Sequence, residues 1–472
     1  MLSGDIIEEA QSASWWTSVR ESLSGVRRNY TSGSIPRLIV LLAIPMVLEM
    51  MMESLFGIVD IYFVARLGAD SVATVMLTES TLVLVFGVAL GLSLATTAFV
   101  ARRIGENDPE GATVAAVQSI AIGVAISIVV GVAGIFFAPR MLALMGASTS
   151  VVATGHRYTA VLLGGSAVIF LIFLINAIFR GAGDPALAMR TLWLANAINI
   201  VLDPCLINGW GPFPKLGIMG AAVATTIGRG VGVLYQLHLL SSGKSRVRVR
   251  FAQFRLNLDV MWRLIRVSVN GMIQFLISTA SWLGLIRIAS FFGTAAVAGY
   301  GLGIRIFLFV ILPSWGLSNA AATLVGQNLG AGHPERSERA VYLTGFYNMC
   351  YMGCLSVIFL LFAPQLAGFF TNDPEVLRVA VLLLRILSVG NICYAWGMVL
   401  VQAFNGAGDT FTPTVINFFC YWLFQIPLAY FLALRIGIGP KGVFSSIPAA
   451  EGAMTLCALI AFRRGNWKKK RL

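Results

Sequence analysis

Several carboxylic acids lie inside stretches of the sequence that are otherwise apolar. Glu49, Glu53 and Asp60 share one such stretch, Glu79 lies in the next, and Asp203 lies in a later one. An ionisable side chain at the centre of a membrane costs on the order of 3 kcal/mol or more, so each of these acids needs a reason to be there. Clustered acids that are shielded from water resist ionisation and can therefore take up and release protons. Their oxygen atoms also suit a monovalent cation, so a proton and a sodium ion are both reasonable ligands.

The spacing of these residues places them on common helix faces. At about 100° per residue, positions 49, 53 and 60 of one helix fall within an arc of roughly 40°. Asn199 and Asp203 are four residues apart and present an amide and a carboxylate on one face. A hydroxyl from Thr225 or Thr226, in the following stretch, could complete a set of oxygen ligands.

The composition shows which elements must position these acids. The chain has 472 residues, of which 57% are hydrophobic and 12% are charged, and its mean hydropathy is +0.82. These values are typical of a polytopic membrane protein rather than a soluble one. Twelve apolar stretches are long enough to cross a bilayer, which takes about 20 residues in a helix. The predicted fold is therefore all-α, with twelve transmembrane helices.

An internal repeat divides these helices into two groups of six. Residues near Leu67 recur 225 positions later without a gap, and the matched pairs include Gly68/Gly293, Pro109/Pro334, the runs 91–93 and 316–318, and the loops Gly181-Ala182-Gly183-Asp184 and Gly406-Ala407-Gly408-Asp409. Because six is an even number, both halves enter the membrane in the same sense, as in transporters built from parallel repeats. We therefore expect two six-helix lobes. Asp60 maps onto Leu285, so only the first lobe carries that acid.

The distribution of lysine and arginine predicts the orientation. One side of the predicted membrane carries 23 of these residues and the other carries seven, which places both termini in the cytoplasm. The predicted segments are a cytoplasmic N-terminal segment (1–36), a first lobe (37–241), a basic linker (242–261), a second lobe (262–462) and a basic tail (463–472). The net charge of +13 is thus explained by membrane topology and anionic lipids, with no need for a nucleic-acid partner.

Other kinds of chemistry find little support in the sequence. The six cysteines all lie in hydrophobic stretches, and the three histidines are scattered, so neither a resident metal site nor a disulfide framework is expected. No nucleotide-binding loop is present. No nucleophile or acid pair with catalytic partners stands out either, so we expect neither an enzyme nor a bound cofactor.

Over nearly its whole length the chain resembles the multidrug and toxic compound extrusion (MATE) antiporters of prokaryotes. The resemblance depends on Pro45 fifteen residues before Asp60, the Val59-Asp60 pair leading into Leu67-Gly68, the paired Gly-Ala-Gly-Asp loops, and the run from Asn199 to Pro204. It implies two six-helix lobes around a central cavity in the plasma membrane. It also implies export of amphipathic, often cationic compounds in exchange for protons or sodium ions. A monomer is expected, since two lobes enclose their own pathway.

The resemblance also assigns roles to individual residues. Asp60 matches the coupling acid of the first helix, Asn199 and Asp203 match its partners in the fifth, and Thr225, with Thr226 as the neighbouring option, matches a hydroxyl in the sixth. These four residues would also hold sodium, if sodium is the coupling ion. Glu53 shares the face of Asp60 and joins the predicted ion-coupling set. Pro45 matches the proline at which the first helix bends.

Three further acids, Glu49, Glu79 and Glu451, are candidates for the substrate cavity. The sodium-coupled branch that uses acids in the seventh and tenth helices fits this sequence poorly, because its seventh helix has none and its tenth has Arg385. First-lobe coupling, by protons more than by sodium, is therefore expected. The alternative function is a lipid-linked precursor flippase of the same superfamily, for which Arg287, Arg305 and Arg385 could bind a diphosphate.

Overall fold

The structure is a computed structural model, described here for residues 15–25, 28–249, 255–470 and 472. These residues form helices and short connections. A short helix, α1, spans Trp15–Ser24. Twelve long helices follow, each long and apolar enough to cross a membrane: α2 (Ile35–Ala65), α3 (Ala69–Gly105), α4 (Pro109–Leu144), α5 (Thr149–Ala182), α6 (Pro185–Asn208), α7 (Ile218–Ser242), α8 (Leu258–Ala289), α9 (Thr294–Gly330), α10 (Pro334–Gly368), α11 (Pro374–Gly406), α12 (Phe411–Arg435) and α13 (Pro440–Arg463). The prediction of an all-α protein with twelve spanning helices is confirmed.

Local sequence explains where many of these helices begin and end. Five of them, α4, α6, α10, α11 and α13, have proline as their first residue, where the missing amide hydrogen costs nothing. Three glycines, Gly183, Gly209 and Gly243, follow the last residue of α5, α6 and α7 in the left-handed conformation that glycine adopts most easily. Pro45 lies inside α2, which continues through it to Ala65. These prolines and glycines allow helices to start and stop abruptly, so the connections between them can be short.

The first helix of each half packs against the other half. The leading part of α2, including Leu38 and Leu42, shares a hydrophobic cluster with Ala320 and Leu324 of α9. In the same way, Leu264 of α8 belongs to a cluster formed mainly by α3, α4 and α5 of the first half. The first helix of each half is therefore part of the packing of the other half. Because of this contact, a movement of α2 can affect the second half.

The halves approach each other most closely at one face. We call it the basic face because residues 28–34, the linker residues 243–249 and 255–257, and the tail residues 464–470 lie there. A side chain on Gly105 would overlap the Gln327 carbonyl oxygen, and one on Gly330 would overlap the Arg102 carbonyl oxygen. Glycine is therefore required where α3 and α9 meet. Glu79 and Arg305, on the far parts of the same two helices, are exposed. The halves are closed against each other at the basic face.

Both terminal segments connect the halves at the basic face. Asn328 of α9 donates a hydrogen bond to the Tyr30 carbonyl at 3.2 Å, and the Tyr30 ring lies against Gly183 of the first half. Burial, with the Asp184 charge nearby, raises the pKa of Tyr30 to about 12, so its phenol stays neutral. At the other end of the chain, the Arg102 guanidinium donates to the Lys470 carbonyl. These contacts reinforce the closed arrangement.

The paired Gly-Ala-Gly-Asp loops have the same role in each half. Gly181 allows α5 to approach the Thr97 carbonyl of α3, and Gly406 allows α11 to approach the Ala322 carbonyl of α9. Asp184 then accepts hydrogen bonds from Ser245 Oγ at 2.8 Å and from the Arg246 amide at 2.9 Å in the linker. Asp409 pairs with Lys470 of the tail at 3.3 Å. The aspartate of each loop therefore binds the segment that follows its half in the chain, which is the linker for the first half and the tail for the second.

Candidate ion site in the first half

The centre of the candidate site is a hydrogen-bonded group between α6 and α7. Asn199 Nδ2 donates to Asp203 Oδ1 at 3.4 Å and to Thr225 Oγ1 at 3.1 Å. The contact depends on Gly228, because a side chain there would lie 2.6 Å from the Ala195 carbonyl oxygen. Asp203 is 0% exposed and Asn199 is 2% exposed. The structure therefore brings together three of the predicted residues, with Asn199 and Asp203 buried and Thr225 half-buried.

Two oxygen atoms of this group have no hydrogen-bond partner among the residues that the structure describes. They are Asp203 Oδ2 and Asn199 Oδ1, both of which are buried. An unpaired acceptor in such surroundings costs about 1–3 kcal/mol, so a ligand that satisfies it would be bound favourably. A proton on Asp203 and a sodium ion held by both oxygens each satisfy this requirement.

Asp60 contributes the second acid of the site. It lies half-buried on α2, near enough to Asp203 for the two charges to repel each other. The charges of Glu79 and Arg229 also act on Asp60. Two acids whose charges repel each other do not ionise independently, since the ionisation of one makes that of the other less favourable. This arrangement allows Asp60 and Asp203 to exchange protons as a pair.

Tyr158 of α5 is a member of the site that the sequence did not reveal. It is 4% exposed, and Asp60, Glu79 and Asp203 all act electrostatically on its phenol. A neutral tyrosine hydroxyl can donate or accept a hydrogen bond, so it is suited to a position among acids. Nothing in the spacing of Tyr158 marks it, because its relation to the acids depends on how α5 packs against α3 and α7.

Glu53 lies on the same helix face as Asp60 but is bound to a cation. Arg229 Nη2 of α7 donates to Glu53 Oε1 at 3.2 Å. The guanidinium also lies 5.3 Å from the centre of the Phe56 ring. Glu53 thus neutralises the arginine whose charge acts on Asp60. Its assignment to the ion-coupling set stays a prediction.

Glu49 is buried in an ion pair near the middle of α2. It is 1% exposed, and its Oε1 accepts from Arg180 Nη1 at 2.9 Å and from Asn176 Nδ2 at 3.2 Å. The backbone around Arg180 is in turn bound by the second half. Thr323 Oγ1 donates to the Arg180 carbonyl at 3.2 Å, and Gln327 Nε2 donates to the Gly181 carbonyl at 2.8 Å. Glu49 therefore links α2 to the contact between the halves.

The other two candidates for the substrate cavity lie apart from each other. Glu79 is exposed on α3, and the Arg305 charge of α9 acts on it across the space between the halves. Glu451 is buried within the second half, where Tyr421 Oη donates to its Oε1 at 3.0 Å. The structure therefore brings only Glu79 close to the first-half acids. The roles of Glu49, Glu79 and Glu451 in substrate binding stay predictions.

The two threonines that the sequence left as alternatives point in different directions. Thr225 receives the Asn199 hydrogen bond, whereas Thr226 Oγ1 donates to the Ala222 carbonyl of its own helix at 2.8 Å.

We expect Thr225→Val to reduce ion-driven transport by about tenfold, the equivalent of one lost hydrogen bond of about 1.4 kcal/mol. Thr226→Val is the matched control and should transport like the wild type. Equal loss in both variants, measured as initial rates in proteoliposomes, would contradict this assignment.

Comparison with known proteins identifies the family. The MatE family model matches residues 45–205 and again residues 271–431. The probable multidrug resistance protein YoeA of Bacillus subtilis is 26% identical, over 95% of this chain and 97% of the relative. The probable multidrug resistance protein NorM of Thermotoga maritima is 26% identical, over 92% of this chain and 93% of the relative.

The fold is also similar to that of solved MATE structures. The crystal structure of MATE in complex with MaL6 superimposes with a TM-score of 0.88 at 26% sequence identity, covering 93% of this chain and 99% of that one. The family model accounts for both halves of the internal repeat. The twelve helices, the two related halves and these matches show that this chain is a multi-pass membrane transporter belonging to the MATE family.

Proposed function

We propose that this protein exports amphipathic, often cationic small molecules across a prokaryotic plasma membrane in exchange for protons. The observation that carries the proposal is the buried Asn199–Asp203–Thr225 group, which has an unpartnered Asp203 oxygen and is electrostatically coupled to Asp60. The relatives named as multidrug resistance proteins support drug-like substrates.

The geometry supports an alternating-access cycle. The halves are closed at the basic face, so the acids of the first half would be reached from the opposite face in this state. Protonation of Asp60 and Asp203 removes negative charge, which weakens the attraction for a cationic substrate and favours its release. By linkage, substrate binding promotes proton release by an equal free energy. Because α2 packs on the second half, a change at Asp60 can reach the contact between the halves.

The energy available is sufficient for useful export. A proton that crosses about 150 mV in the favourable direction releases about 3.5 kcal/mol. If one proton is exchanged for one uncharged substrate molecule, this supports a substrate gradient of a few hundredfold. For a singly charged cation the exchange is electroneutral, and the pH difference alone drives it.

Protons fit the site better than sodium ions do. The Asn199 amide donates to both Asp203 Oδ1 and Thr225 Oγ1, so within the described part of this group only Asp203 Oδ2 and Asn199 Oδ1 are left for a metal ion. A hard cation prefers several oxygen ligands around it. Sodium coupling at Asp60, Asn199, Asp203 and Thr225 is the competing assignment, and the experiment below separates the two.

The membrane orientation belongs to the same proposal. The 23 lysine and arginine residues on one side of the predicted topology favour a cytoplasmic basic face, with both termini inside the cell. The closed face would then be the cytoplasmic one. Each chain has its own pair of halves, which supports a monomeric transporter surrounded by membrane lipids.

The test is dye efflux from proteoliposomes with the two ion gradients imposed separately. A fluorescent cationic dye should leave wild-type vesicles when only a pH gradient is present, and a sodium gradient alone should have no effect. Movement driven by sodium alone would replace the proton with sodium. If neither gradient moves the dye while the purified protein binds a lipid diphosphate, the flippase function would take the place of this proposal.

A further inference from the structure

A second enclosed site lies within the other half of the protein, away from Asp60. It is a cavity between α8, α9, α11, α12 and α13, and Trp282, Phe307, Asn391, Tyr394, Gln425 and Glu451 are among the side chains that line it. Most of the lining is apolar. The cavity is large enough for a water molecule and too small for a drug-sized compound.

Two buried polar atoms of this cavity have no hydrogen-bond partner within the described part of the chain. Glu451 is 5% exposed, and although its Oε1 accepts from Tyr421 Oη at 3.0 Å, its Oε2 has no hydrogen-bond partner. Asn391 is 1% exposed, and its Nδ2 also has none. One atom is an acceptor and the other is a donor. A water molecule between them would satisfy both.

No positive charge compensates Glu451. Among the described residues it forms no ion pair. The titratable side chains that interact electrostatically with Glu451 are Tyr394 of α11 and Tyr421 and Cys420 of α12. All three are neutral near pH 7. The parts of α8 and α9 that line the cavity contribute only apolar and aromatic side chains.

The corresponding position in the first half carries the opposite charge. The last helix of each half begins after a glycine of the same unusual conformation, Gly217 (φ 58°, ψ −136°) and Gly439 (φ 70°, ψ −148°). Twelve residues after these glycines lie Arg229 (217 + 12) and Glu451 (439 + 12). Arg229 binds Glu53 of the first helix of its half. The second half therefore replaces a paired cation with an acid that lacks a counter-ion.

We propose that Glu451 is a second proton-binding group, served by a water molecule held between Asn391 Nδ2 and Glu451 Oε2. A buried carboxylate without a counter-ion is unfavourable, and binding a proton removes its charge. In this step the carboxylate oxygen takes a proton from a hydronium ion in the cavity, and a neutral water molecule remains. The Tyr421 hydroxyl and the Asn391 amide both point hydrogen atoms at the site, which disfavours a metal ion there.

The consequence for transport, which rests on the proposed function, is that up to two protons bind per protein. One would be shared by Asp60 and Asp203 in the first half, and the other would be held by Glu451 in the second. The two binding events would be separable, because Glu451 lies in a different half from Asp60 and Asp203 and is surrounded by its own hydrophobic cluster.

The experiment measures protonation directly and does not depend on transport. Infrared difference spectra of the purified full-length protein, between mildly acid and mildly alkaline buffer, report the carbonyl band of each protonated carboxylic acid. We expect Glu451→Gln to lose one band that Asp60→Asn retains. Asn391→Leu should keep this band at a shifted frequency, because the carboxyl loses its water partner. Glu110→Gln, a change of an exposed acid at the start of α4, is the control and should leave the spectrum unchanged.

Every outcome that differs from these expected spectra contradicts the inference. If the Glu451→Gln spectrum matches the wild type, Glu451 does not change its protonation. If sodium alters the band in the wild type and the effect is lost in Glu451→Gln, the site binds a cation instead. Should Glu451→Gln fail to fold, the Asn391→Leu spectrum decides, since no shift in any band would exclude the water-linked site. A failure of the proposed function would appear elsewhere, as dye transport that is indifferent to pH.

Discussion

Asp60→Asn is expected to reduce efflux driven by a pH gradient to the level of vesicles without protein. Asparagine has nearly the same shape as aspartate but cannot take up or release a proton. The repulsion between Asp60 and Asp203, through which the two acids would exchange protons as a pair, is also removed. Substrate binding should persist, because the other acids of the site remain. The measurement is the initial rate of dye efflux from proteoliposomes, paired with equilibrium dye binding to the purified protein.

The control for this substitution is Asp259→Asn, the same chemical change at an exposed acid in the first turn of α8. It should transport like the wild type. The proton-coupling assignment would be wrong if Asp60→Asn retained pH-driven efflux at the rate of Asp259→Asn. Loss of both binding and transport in Asp60→Asn would instead place Asp60 in the substrate site.

Gly105→Leu should prevent the two halves from closing at the basic face. The added side chain would overlap the Gln327 carbonyl oxygen at the end of α9, and a backbone atom in a packed helix contact cannot move aside at low cost. The state seen here would then lose population, and efflux should fall to near background. Electron-spin distance measurements between labels at Glu110 and Glu335, one on each half, should show a longer distance than in the unsubstituted protein.

Gly301→Leu provides the matched control for the closure experiment. Gly301 lies in α9, the helix that carries Gln327, but no atom lies within 4 Å of the position of its added carbon. The same substitution there should leave both the label distance and the efflux rate unchanged. Equal label distances in Gly105→Leu and the wild type would show that this glycine contact does not hold the basic face closed.

The class of protein and its division into halves were predictable because they depend on local features of the chain. The length of an apolar stretch determines whether a helix can cross a membrane, and a repeat of 225 positions is visible without any structure. The difference in acid content between the halves, with Asp60 opposite Leu285, could also be seen directly. Helix periodicity placed Asn199 and Asp203 on one face, and they are hydrogen-bonded in the structure.

The partners of these residues could not be predicted, because they depend on how each helix is rotated and on which helix it packs against. Adjacent residues differ by about 100° around a helix axis, so the rotation of α7 about its axis decides whether Thr225 or Thr226 faces Asn199. Tyr158 joins the site because α5 packs beside α3 and α7. The separate cavity of Glu451 exists because five helices of the second half enclose it. The sequence by itself determined which residues are unusual for a membrane, and the tertiary structure determined their contacts, since contacts between distant segments follow from packing rather than from local order.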